Sequence, residues 1–125
     1  MKVAIYTRVS TSEQDTERQL RDLTAYADRA GYEVVGIYTE TASGTKNDRR
    51  QRALVMQLAR ERHIEGILVT ELSRWGRSTS DLISTLEQLA DWKCSLICQT
   101  GMQFDLKSAN GKLFLSIMAG FAQFE

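Results

Sequence analysis

The sequence predicts an α/β fold: a three-layer, mainly parallel sheet of four to five strands flanked by helices, with a long apolar helix at the C-terminal end. Three observations predict it. Met1 to Thr7 is β-branched and aromatic without alternation, which is how a strand covered on both faces of a parallel sheet reads. Short apolar runs then alternate with amphipathic segments, as in βαβ units. At 125 residues, without repeats or low-complexity tracts, the chain can bury one core but not two.

Each element has its own signal. Gln14 to Ala30 reads as a helix, with Leu20, Leu23, Ala27 and Ala30 on one face, and Gly31 stops it. Glu33 to Thr39, rich in Val and Ile, is the second strand; the loop from Glu40 to Asp48 turns at Ser43-Gly44. Asn47 or Asp48 can cap a helix reaching about Arg62, with Leu54, Val55 and Leu58 expected to face inward. Gly66 to Glu71 is the third strand. Ser78 or Thr79 starts a helix whose Leu82, Ile83, Leu86, Leu89 and Ala90 form the cleanest apolar stripe in the chain. Ser95 to Cys98 is the fourth strand, and a polar loop runs from Gln99 to Gly111.

The final stretch differs in kind. On a helical wheel at about 100° per residue, Leu113, Phe114, Leu115, Ile117, Met118, Ala119, Phe121, Ala122 and Phe124 spread over about two-thirds of the circumference. A helix that apolar needs a partner beyond its own domain, so residues 1–111 are expected to form the compact domain and 112–125 the start of a helix that makes an intermolecular contact. Met118 and Phe121 are its interface candidates.

Composition excludes several classes. Sixteen basic and sixteen acidic residues cancel, so any DNA-binding or phosphate-binding site must be local. No apolar run approaches the about 20 residues that span a bilayer, and no signal peptide precedes the first strand, which predicts a cytoplasmic chain with no membrane partner. Cys94 and Cys98, four residues apart in a predicted strand, are separated by about 13 Å, too far for a disulfide. With His63 a helix away they make a poor zinc set, and no metal or cofactor is expected.

The polar clusters all follow strands. Arg8 and Ser10 come after the first, Ser43 and Arg49 after the second, Arg74 and Arg77 after the third. Parallel strands place these ends along one edge, where open α/β sheets bind ligands. Four guanidinium groups around one hydroxyl suit a phosphate, because the planar fork of Arg matches phosphate oxygens. Ser10 has a bland alternative: Ser10-x-x-Glu13 also fits a capping box. Other readings are a phosphate-binding or dimerisation module without catalysis and a metal-dependent nuclease using Glu40 and Glu71, at the ends of adjacent strands. A serine hydrolase would need His63, which lies just before the third strand at the opposite edge.

The segment YTRVSTSEQ resembles the N-terminal signature of the serine recombinases, the resolvases and invertases. Ser43-Gly44, Arg49, the LSRWGR run from Leu72 to Arg77, and Ala122-x-x-Glu125 follow in the family's order, so the resemblance covers essentially the whole chain. It implies a site-specific DNA recombinase catalytic domain in which Ser10 attacks a phosphodiester, leaving a 5′-phosphoserine and a free 3′-hydroxyl, and reseals strands without ATP. It assigns Arg8, Arg74 and Arg77 to the phosphate and transition state, Arg49 to the arginine after the SG loop, Gln14 and Gln19 to the nucleophile loop and scissile phosphate, and Ser43 to support. It also implies DNA as partner, a homodimer that becomes a tetramer in the synaptic complex, a last helix that mediates dimerisation, and a DNA-binding domain beyond it. Ser73 stands where the family usually has Asp, which puts a carboxylate role beside Arg74 in doubt.

Overall fold

The computed structural model describes residues 1–9, 13–41, 50–76, 78–99, 103–104 and 113, without the side chains of residues 13, 14, 73, 103 and 104. The strands are β1 (Lys2–Val9), β2 (Glu33–Thr41), β3 (Gly66–Val69), β4 (Ser95–Cys98) and β5 (Gln103–Phe104); the helices are α1 (Glu13–Ala30), α2 (Arg50–Arg60), α3 (Leu72–Trp75) and α4 (Thr79–Asp91). They form a five-stranded sheet of order β2-β1-β3-β4-β5, parallel throughout except for the β4–β5 pair.

The order explains where the helices go. The chain steps outward from β1 to β2, then reverses, passing back over β1 to β3 and on to β4. Right-handed crossovers put the helix on the opposite face when the direction of travel reverses. Accordingly α1 packs Leu23 and Ala27 with Val3, Ile5, Leu68 and Ile97 on one face. On the other, Val55 and Ala59 of α2 and Leu86 and Leu89 of α4 pack with Ala4, Tyr6, Ile67, Val69, Trp75 and Leu96. The reversal falls between β1 and β3, so the crevice outside their carboxyl ends is the topological switch point.

Most element positions agree with the sequence, and the departures have local causes. β1 runs on through Val9, so Arg8 lies inside the strand rather than after it, in register with Glu40 of β2. β3 stops at Val69, two residues short of the expected end at Glu71, and the short α3 lies between that end and the helix start at Ser78. β5 lies within the supposed loop 99–111, because two residues opposite Leu96 and Ile97 are too few to show a period. Cys94 precedes β4 rather than lying in it, and both cysteines are buried and free. Ala30 is exposed at the last turn of α1, where Gly31 at φ 76° takes the left-handed position.

Leu54 is the clearest correction. It is 47% exposed, because α2 turns Arg52, Val55 and Ala59 inward instead. The predicted partner in the core, Val55, is fully buried, and Leu58 is partly so. Among the described residues no helix is long and apolar enough to cross a membrane.

Candidate active site at the carboxyl edge of the sheet

Parallel pairing of β1, β2 and β3 brings the ends of the three strands to one edge, as the sequence predicts. Arg8, half-buried, is the penultimate residue of β1, and even-numbered β1 residues Ala4 and Tyr6 place its register on the face covered by α2, α3 and α4. Arg74 lies on α3, directly beyond β3, with its Nε 3.4 Å from Glu71 Oε1. Both partners are substantially exposed, so this pair adds little stability. Ser10, Ser43, Arg49, Arg77, Met118, Phe121 and Glu125 lie outside the described residues, as do the side chains of Gln14 and Ser73. Asn47 and Asp48, the expected caps of α2, lie outside them too.

Gln19 is buried in the second turn of α1 and donates from Nε2 to Asp15 Oδ2 at 2.9 Å. Its Oε1 is buried with no hydrogen-bond partner among the described residues. A spare amide oxygen is an acceptor, suited to an N–H or O–H and not to a phosphate anion.

Glu40 is 6% exposed. Its Oε2 accepts from the Tyr6 hydroxyl at 2.5 Å and its Oε1 from the Gln51 backbone N–H at 2.7 Å. One strand-borne carboxylate thus caps the N-terminus of α2 and joins it to β1. A metal-nuclease role for Glu40 and Glu71 fits the geometry poorly: each oxygen of Glu40 already has a donor, and Glu71 lies beside Arg74.

A second buried network holds α3, and sequence reasoning missed it. Arg52, 8% exposed, donates to Asp81 with Nη1 at 2.5 Å and Nη2 at 3.0 Å, and Nη1 also reaches the Trp75 carbonyl at 3.0 Å. Its guanidinium carbon lies 5.6 Å from the Trp75 ring centroid. The indole meets Tyr6 edge-on at 5.2 Å and donates from Nε1 to Thr85 Oγ1 at 2.9 Å. Removing one partner from such a pair strands a buried charge, at a cost of about 3–5 kcal/mol. Two signals were available: Arg52 shares a helical face with Val55 and Ala59, and Ser78-x-x-Asp81 reads as a helix start. Ser78 Oγ does accept from the Asp81 N–H at 3.1 Å, while the Asp81 carboxylate turns to Arg52.

At the far edge, His63 is exposed and pairs with Glu61, Nε2 to Oε2 at 3.2 Å. It precedes β3 and so stands at the amino edge, as expected. Beside the carboxyl edge, burial pushes the Cys98 thiol up, with the Glu71 carboxylate adding to the shift.

Residues 3–125 match the family model for the resolvase N-terminal domain. The chain belongs to the resolvase family. The resolvase of transposon Tn2501 from Escherichia coli is 32% identical over 99% of this chain and 63% of its own length. The resolvase of transposon Tn1546 from Enterococcus faecium is 34% identical over 96% of the chain and 60% of its own. This resolvase-family chain therefore spans about three-fifths of the length of these curated relatives. Among solved structures, the N-terminal catalytic domain of TP901-1 integrase superposes with a TM-score of 0.81 at 32% identity, covering 99% of this chain and 95% of that one. The mainly parallel sheet with flanking helices is thus the fold of resolvase-family catalytic domains.

Proposed function

We propose that this chain is the catalytic domain of a site-specific DNA recombinase in which Ser10 is the nucleophile. The observation that carries the reading is the convergence of Arg8 at the end of β1 and Arg74 just beyond β3 on the switch-point edge, with Ser10 next after Val9 in the chain.

In the proposed reaction the Ser10 oxygen bonds to phosphorus as the bond from phosphorus to the 3′ oxygen breaks. The serine proton is released and the departing 3′ oxygen takes one up. One phosphoester replaces another, so the reverse attack by a 3′-hydroxyl reseals DNA without ATP. Arg8, Arg74 and Arg77 neutralise charge on the nonbridging and leaving oxygens, work that suits permanently charged, forked side chains. Arg49 and Ser43 support the phosphate from the 42–49 segment, and Gln14 and Gln19 order the nucleophile segment. Relatives named as resolvases and an integrase support DNA as the substrate.

The apolar stretch 112–125 is assigned to dimerisation, with the dimer pairing into a tetramer at synapsis. Leu113, its one described residue, is helical and 60% exposed. Replacing Met118 and Phe121 with polar residues should give a folded monomer by analytical ultracentrifugation; an unfolded chain would instead make that stretch part of the domain's own core.

The reading is tested by incubating the protein with a random-sequence duplex pool and with the DNA flanking its gene, in chelator. A covalent protein–DNA adduct lost in Ser10→Ala is expected. An adduct that needs a divalent ion, or that survives Ser10→Ala, would overturn it.

A further inference from the structure

The buried Arg52–Asp81 pair lies outside the set of groups assigned to the phosphate, yet it closes around the segment that presents two of them. α3 is four residues long, far too short to hold its shape alone, and it contains Arg74, with Arg77 two residues past its end. Trp75 is its anchor. The Trp75 carbonyl accepts from Arg52, its indole N–H donates to Thr85 of α4, and its ring packs edge-on against Tyr6 of β1. Next to it, Gly76 sits so close to α4 that a Cβ there would lie 2.8 Å from Leu82 Cβ. Arg52 is two residues into α2, one turn beyond the 42–49 segment, while Asp81 is in the first turn of α4. A single guanidinium thus ties the elements flanking two phosphate-binding clusters, through a fork that fixes orientation as well as distance.

Stability alone does not call for this arrangement, since apolar side chains of similar volume commonly replace a buried ion pair without loss. We infer that Arg52 and Asp81 are positioning residues, which act through Trp75 to aim Arg74 and Arg77 at the scissile phosphate. The inference rests on the phosphoryl-transfer reading of the site. Misplacing a catalytic group by about 1 Å can cost about 10²-fold in rate, so small movements of α3 suffice.

The decisive variant is Arg52→Met combined with Asp81→Leu, which removes both charges and fills the space. It should melt no lower than the parent and bind DNA within about threefold of it, while forming the Ser10 adduct about ten- to a hundredfold more slowly at saturating DNA. A parent-like adduct rate would overturn the inference and reduce the pair to a structural role. A rate loss matched by an equal loss of DNA affinity would overturn it as well. If the double variant does not fold, Arg52→Lys decides, because it keeps the charge beside Asp81 but loses the fork: a slowed rate with unchanged affinity supports positioning, and an unchanged rate overturns it. A parent that forms no Ser10-dependent adduct would bring down the reading of the site and this inference with it, an outcome distinct from a loss confined to the variants.

Discussion

The two edges of the sheet handle polar groups in opposite ways. At the amino edge they are exposed and loosely paired: Glu61 with His63, and the Lys2 N–H with Glu65 at 3.3 Å. Toward the carboxyl edge Glu40, Arg52 and Thr85 are buried and held by several bonds. Each edge has an exception: Ser95 is buried at the start of β4 near the amino edge, and the Glu71–Arg74 pair just beyond β3 is exposed. Burying charge costs stability that apolar residues would supply more cheaply, so its concentration at one edge marks where orientation matters more than stability.

The sharpest break in this comparison comes from the arginines of the carboxyl edge. Arg8→Lys and Arg74→Lys keep the charge but lose the fork, and each should slow adduct formation by about 10²–10³-fold while DNA affinity changes little. Quench-flow rates beside fluorescence-anisotropy titrations separate the two quantities; equal losses in both would make these residues simple DNA contacts.

A contrast from the middle of the sheet sharpens the point. Leu23 is fully buried in the wholly apolar cluster under α1. Leu23→Ala should lower the unfolding free energy by about 3 kcal/mol in urea titrations and leave the rate per folded molecule unchanged.

The smallest effect belongs to the amino edge. The hydrogen bond from Gln57, with help from His63, holds the Glu61 carboxyl below its usual range. A depressed folded-state value stabilises above the unfolded value and is lost as pH falls through the folded one, so Glu61→Gln should lower thermal stability only slightly near neutral pH, with the difference vanishing as pH falls through the acidic window. Activity near neutral pH should not change, as a pH series of melting curves and adduct rates would show.

The same contrast explains what could be read from sequence. Strands and helices with long periods were legible: α1, α4 and β4 stand where Leu23, Leu86 and the Ser95–Cys98 run put them. So was the shared edge, since it follows from parallel topology alone. α3 and β5, at four and two residues, are shorter than any period that could betray them. Leu54 was misplaced for a different reason: hydropathy favours it for the core, but a three-residue polar network from Arg52 sets the rotation of α2. Buried polar partners such as Tyr6 with Glu40 join residues 34 positions apart, and no local pattern encodes such a pair.

The identity of the nucleophile is the central claim to test. DNA with sulfur in place of the bridging 3′ oxygen gives a leaving thiol that reseals poorly, so the covalent adduct should accumulate and can be digested for tandem mass spectrometry. The expected product is a nucleotide 5′-phosphate joined to Ser10 Oγ. A phosphoester on any other residue, Ser12 or Ser43 included, would contradict it.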